Sequence, residues 1–381
     1  MSQIYKSPKI CIVGCGIMGL SSAYCLAKYY QGADITIYSK DVPPNTTSNA
    51  GYGIVFCRSY DSKMYSKKIG EWSSETSRYC SELLKNPDNA SKMGINPVDG
   101  FLVMTKKEIL EVEKDPDRES IVHSPSLRSS CTYFRECTPG EIQDKFLSKN
   151  AQFDILLDVP KADAQFNNLS FYIYGTFIID TDLYLLWMQN EMKNMVERGQ
   201  LGNFKVEQRH VDHLSDLCNK DFDLIVNCSG LGAGKLVGDP LVSAIRAQWF
   251  LIRAPEITNL YYAGRTCICP RPGRVSLGSV FQWDRYDTEI DPVVTKDNWD
   301  RAKSLFPEIQ ENQILGEYVR LRPGRRGGAR LEFERMTGHG NSMPVIHNYG
   351  HAGTGIGQHW GCALNVLEIS KGVLLNGKSK L

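Results

Sequence analysis

Apolar and polar positions change period twice near the amino end of the chain. Residues 10–13 (ICIV) form an unbroken apolar run, residues 20–29 carry Ala and Leu at helical spacing, and residues 34–39 alternate. That order predicts strand, turn, helix, strand. From about residue 60 to 177, helical stretches such as KKIGEWSSETSRYCSELL mix with strand-like ones such as GFLVM and SFYIYGTFII. TPGEIQDKF predicts a helix start, with Thr138 as N-cap, Pro139 in the first turn and Glu141 completing the cap. DTDLYLLWMQNEMKNMVERG predicts an amphipathic helix closed by Gly199, and residues 224–226 a buried strand running into Ser229 and Gly230.

The first turn adds chemistry to the pattern. Gly14, Gly16 and Gly19 make GxGxxG between a predicted strand and a predicted helix. The first glycine permits the tight turn, the second lets a pyrophosphate approach the backbone, and the third lets helix and strand pack closely. The helix amino end favours the phosphate charge. An acidic residue that bonds a ribose is expected about 20 positions on; Ser39 and Lys40 stand there, with Asp41 slightly late. This weakens NAD as the dinucleotide more than FAD. Thr46, Thr47 and Ser48, followed by Ala50 and Gly51, read either as a solvated loop or as hydroxyls and small residues against a cofactor.

A second apolar strand ending in small residues fits the same parallel sheet as the first. The expected fold class is α/β: a Rossmann-like cofactor domain with a parallel sheet, plus a second, strand-rich α+β substrate domain. The cofactor domain is discontinuous, over residues 1–58, 180–245 and 331–376, with the substrate domain over 59–179 and 246–330.

Composition narrows the partners. A formal net charge of +1 argues against a nucleic-acid binder. No run approaches the roughly 18 apolar residues of a membrane span, and the amino end lacks the apolar region of a secretory leader. The 12 cysteines include no CxxC and read as buried reduced thiols. His347 and His351 are spaced HxxxH on a glycine-rich loop, so no metal is expected. EYVRLRPGRRGGARLE holds Arg320, Arg322, Arg325, Arg326 and Arg330. Most of these are expected to be solvated or paired, with one held rigid beside the proline to grip a carboxylate. Ser379, Lys380 and Leu381 spell the peroxisomal address, in an exposed tail over 377–381.

The stretch VIHNYGHAGTGIGQHWGCA crowds Gly350, Gly353, Gly355 and Gly357 before a predicted helix. Together with GCGIMG, TTSNAG, NCSG and LRPGRRGGARLE, in that order along the chain, it resembles the D-amino-acid oxidase and D-aspartate oxidase family of peroxisomal flavoproteins. The resemblance implies FAD as cofactor, a D-amino acid and oxygen as reactants, import by the peroxisomal receptor, and a possible homodimer. It implies that Gly14, Cys15, Gly16, Ile17, Met18 and Gly19 hold the pyrophosphate, and that Lys40 and Asp41 lie at the adenosine. Thr46, Thr47, Ser48, Ala50, Gly51 and Tyr52 would line the flavin side, and Val211 and Ser229 would also touch FAD. Thr354, Gly355, Ile356 and Gly357 would border the flavin pyrimidine edge.

Arg322 would bind the substrate α-carboxylate, and the Gly353 carbonyl its amine. For the side chain, Cys267 replaces a family tyrosine and Phe281 stands where acidic-substrate members carry arginine. Arg265 and Arg58 are further candidates for a side-chain carboxylate. Gly353, where acidic-substrate members tend to carry serine, leans toward neutral D-amino acids, with D-aspartate as the alternative. Competing classes are a catalytically silent flavin binder and an NAD-dependent dehydrogenase.

Overall fold

The computed structural model describes residues 7–56, 67–114, 122, 128–218, 221–278 and 280–374. Residues 9–39 fold in the expected order: strand Lys9–Val13, helix Ile17–Tyr29, strand Asp34–Ser39. The strands are buried because the apolar run leaves no polar face, which suits a parallel sheet covered on both sides.

Lys9–Val13 pairs in parallel with Asp34–Ser39 on one side and Leu224–Asn227 on the other, with Cys11 opposite Thr36 and Ile225. Asn203–Gln208 extends the sheet beyond Asp34–Ser39, and Asn341–Tyr349 beyond Leu224–Asn227, both in parallel. Arg330–Gly338 adds an antiparallel edge, giving a six-stranded sheet. Thr138 and Glu141 form the reciprocal capping box read from TPGE, and the helix Thr181–Glu197 ends just before Gly199.

The second sheet has nine strands and is mostly antiparallel. One long pairing in it joins Val242–Ile252 to Ile314–Arg325, with Ala247 opposite Arg320 and Ile245 opposite Arg322. Val242–Ile252 is one continuous strand, so the expected change of unit at residue 245 falls inside it.

The helix Lys67–Leu83 also departs from expectation. Its buried Ile69, Trp72 and Cys80 share one core with the helix Ile17–Tyr29 and the six-stranded sheet. The close fit comes from Gly361, where a Cβ would lie 2.3 Å from the Trp72 carbonyl oxygen. Tyr79 stacks on Trp360 at 3.9 Å beside that contact.

Candidate active site

The carboxyl ends of the central parallel strands open into a cavity of about 770 Å³. Crevices at this end of a parallel sheet are the usual ligand site of such folds. Gly14 leaves the first strand at φ +109°, and a Cβ there would sit 2.4 Å from the Cys228 carbonyl oxygen. A Cβ on Gly19 would sit 1.9 Å from the Gly14 carbonyl oxygen. Gly19 is therefore the helix–strand packing residue; it does not line the cavity, whereas Gly14, Cys15, Gly16, Ile17 and Met18 do. The helix that follows begins at Gly16 without a side-chain cap. Ser39 accepts from the Cys15 amide at 3.1 Å and Ser48 from the Ile17 amide at 2.9 Å.

At one end the lining residues are Lys40, Asp41, Val211 and Ser229, together with Tyr38 and Arg209. The Arg209 guanidinium lies 4.9 Å from the Tyr38 ring centre. Thr46, Thr47, Ser48, Ala50, Gly51 and Tyr52 line the middle. Thr354, Gly355 and Ile356 face them, at the amino end of the helix Gly355–Leu374. A Cβ on Gly51 would lie 2.4 Å from Ile356 Cδ1, so a side chain there would push the isoleucine tip aside. Gly357 does not border the cavity: one residue further into the helix, it is buried in the core.

The residues fit a dinucleotide carrying a flavin. The cradle at Gly14 and Gly16 is open to a pyrophosphate, and the positive end of a 20-residue helix points at the cavity. The cavity-lining Asn348 adds a buried Oδ1 with no hydrogen-bond partner among the described residues, an acceptor waiting for a donor.

The far end holds Arg322 and Gly353. Arg322 Nη1 donates to the Val280 carbonyl at 2.7 Å, and its guanidinium lies 4.2 Å from the Phe281 ring centre. A Cβ on Gly353 would lie 3.0 Å from Phe281 Cζ and 3.2 Å from Arg322 Cδ, so a side chain there would crowd the arginine. Cys267 lines the cavity, and Tyr262, directly across the strand pair from it, lines it too. A phenol from the neighbouring strand thus borders the wall where Cys267 presents only a thiol.

Behind Phe281, the fully buried Arg246 donates to Gln282 at 2.9 Å and Gln248 at 2.8 Å and pairs with Asp287 at 3.2 Å. This network ties residues 281–289 to the strand Val242–Ile252. Nothing in the sequence pattern distinguished Arg246 from a surface cation.

Three of the lining side chains, Tyr52, Cys267 and His351, are held away from neutrality by burial. Burial drives the Tyr52 phenol well above its ordinary range, and its hydroxyl is spent on the Gly278 carbonyl at 3.0 Å. Burial pushes the Cys267 thiol up to about 12 and the His351 imidazole down to about 3.

One side-chain-pocket candidate, Arg265, does not join the site. Arg265 pairs with Asp158 on a solvent-facing turn, so its guanidinium is spent outside the cavity. Arg58 lies outside the described residues, as does the tail 377–381. The two histidines of HxxxH work separately: His347 contacts Asn227 at 3.2 Å and Glu334 at 2.9 Å, and His351 contacts Cys362 at 3.4 Å. Sequence reasoning missed Arg320, Trp249 and Tyr262, which border the cavity beside Arg322 and Cys267.

Similarity to known proteins agrees with this geometry. Residues 9–368 match the family model described as FAD dependent oxidoreductase. The chain is 28% identical over 368 residues to D-aspartate oxidase of Homo sapiens, covering 95% of this chain and 94% of that one. It is also 28% identical over 376 residues to D-amino-acid oxidase of Dictyostelium discoideum, covering 95% and 92%. Among solved structures, glycine oxidase from Geobacillus kaustophilus superposes with a TM-score of 0.68 at 17% identity, over 97% and 95% of the two chains. L-α-glycerophosphate oxidase from Mycoplasma pneumoniae, solved with FAD bound, gives 0.63 at 12% identity over 97% and 95%. A cradle for pyrophosphate, a helix end aimed at the ring site and a match spanning nearly the whole chain place this protein in the FAD-dependent oxidoreductase family, with FAD as its cofactor.

Proposed function

We propose that the chain oxidises D-amino acids to imino acids, which water converts to 2-oxo acids and ammonia while oxygen becomes hydrogen peroxide. The observation that carries this reading is Arg322, held rigid by Val280 and Phe281 and set against the bare backbone of Gly353. A guanidinium fork grips a carboxylate through two parallel bonds. The Gly353 carbonyl, left open by the missing side chain, is the acceptor for the substrate amine. Two fixed points and one open direction orient Cα, so handedness follows from which face the pair presents. FAD, when bound, would supply the acceptor for the hydride leaving Cα and the route for both electrons to oxygen. The amine gives up its proton to water. With Tyr52, Cys267 and His351 held far from neutrality, catalysis by these residues is orientation and exclusion of water. The relatives named for D-amino-acid and D-aspartate oxidation support the same assignment.

The test is peroxide output from the FAD-loaded chain with D-amino acids and with their L-enantiomers. Peroxide from the D-series alone supports the reading; peroxide from the L-series alone, or none at all from a yellow protein, overturns it.

The terminal Ser379, Lys380 and Leu381 support delivery to the peroxisome, a compartment suited to a peroxide producer. Deleting these residues should leave the chain in the cytosol of the same cells. A homodimer is the assembly the resemblance implies, and light scattering of the purified chain tests it.

A further inference from the structure

Arg320 stands two residues before Arg322 on the strand Ile314–Arg325. Side chains alternate along a strand, so both guanidinium groups leave the same face. Both border the cavity. The arginines further along are engaged by acids: Arg325 with Asp239 at 2.8 Å, Arg326 with Asp284 at 2.5 Å, and Arg330 with Glu332 at 2.7 Å and Glu334 at 2.8 Å. Among the described residues no carboxylate pairs with Arg320, whose Nη1 donates to the Val319 carbonyl at 2.8 Å. A guanidinium has five N–H donors, so one backbone bond leaves most of the fork for a ligand.

We propose that Arg320 recognises a second carboxylate, on the substrate side chain, and makes this chain selective for dicarboxylic D-amino acids. The inference rests on Arg322 as the α-carboxylate clamp. Same-face neighbours on a strand start about 6.6 Å apart. The carboxyl carbons of a four- or five-carbon dicarboxylic amino acid lie about 4–5 Å apart at standard bond lengths. Two long side chains leaning together can therefore hold both ends of one substrate. Ala247, directly opposite Arg320, leaves room for that side-chain carboxylate. Two cations on one wall repel each other, and a substrate with two carboxylates relieves this more fully than one with a single carboxylate. Phe281 and Gly353 bring no charge to the wall, and the lean toward neutral substrates drawn from Gly353 is reversed by a residue the sequence pattern sent to the surface.

D-Aspartate and D-asparagine have nearly the same shape and differ by the charge Arg320 would read. With the FAD-loaded full chain, kcat/KM should favour D-aspartate by at least about tenfold. Arg320→Gln should shrink that ratio by about 10–100-fold, through KM, as for losing one charge-assisted bond. A ratio near one in the unmodified chain, or a ratio unmoved in the variant, overturns the proposal. A second readout needs no turnover: binding of succinate and of its monoamide, succinamate, followed by the change each makes in the visible flavin band. Succinate should bind more tightly in the unmodified chain and lose that advantage in Arg320→Gln. If no D-amino acid is oxidised yet succinate keeps its advantage, the oxidase reading falls and the dicarboxylate site stands. If succinate has no advantage, the proposal fails whatever turnover does.

Discussion

The Arg322 guanidinium sits over the Phe281 ring, 4.2 Å from its centre, while Nη1 is tied to the Val280 carbonyl at 2.7 Å. The ring face attracts the cation, and the backbone bond holds one arm of the fork in place. The fork is therefore set before any carboxylate arrives, which lowers the ordering cost of binding.

Removing this cation should be severe. Arg322→Leu should raise the barrier for D-amino acid oxidation by about 2–5 kcal/mol in kcat/KM, the range for breaking a hydrogen-bonded charge pair. Phe281→Leu keeps the charge and loses the platform, so it should cost about 0.5–2 kcal/mol. Steady-state peroxide assays on flavin-loaded variants check both; unchanged kinetics in Arg322→Leu would remove this residue from the site.

The glycine cradle has a different signature. Gly19→Ala puts a Cβ 1.9 Å from the Gly14 carbonyl oxygen, a backbone atom in a turn that has no room to move. The variant should lose bound flavin and stability together, by more than about 1–3 kcal/mol. Visible absorbance and thermal midpoint measure the two losses.

Arg246 should matter without touching the cavity. Arg246→Met leaves Gln282, Gln248 and the Glu289 carbonyl short of a buried donor and should cost about 1–3 kcal/mol of stability. Because the same network anchors the segment carrying Phe281, KM should rise in whatever fraction still folds. A variant with native midpoint and native KM would contradict this.

Stability should fall on mild acidification. Burial lowers His351 from the ordinary 6.5 to about 3 and His359 to about 4. Below about 6.5 the unfolded chain binds protons that the folded chain refuses, so this stability is fully present above that pH. It is lost as pH falls toward the folded values, with a slope of up to about 1.4 kcal/mol per pH unit for each histidine. Thermal midpoints between pH 7 and 5 check the slope, which His351→Gln should flatten.

The sequence revealed the cofactor end better than the substrate end, for physical reasons. Gly14, Gly16 and Gly19 do their work through local backbone geometry, which a short motif records in full. The strand Leu224–Asn227 was legible because a buried parallel strand has no polar face to confuse its pattern. Arg265 and Arg320 could not be told apart in advance: both are arginines near strands, and only pairing decides. Asp158 reaches Arg265 across more than a hundred residues of chain, while Arg320 is turned to the cavity by its register against Ala247. Tyr262 was hidden for the same reason, since its place beside Cys267 depends on a turn that brings two short strands together.

The most direct test is anaerobic mixing of the FAD-loaded chain with D-alanine and D-aspartate, each against its L-enantiomer, while following the visible flavin band. Bleaching by D-enantiomers alone, fastest with D-aspartate, is the expected result. Bleaching by L-enantiomers, or a band that persists with every D-amino acid offered, would contradict it.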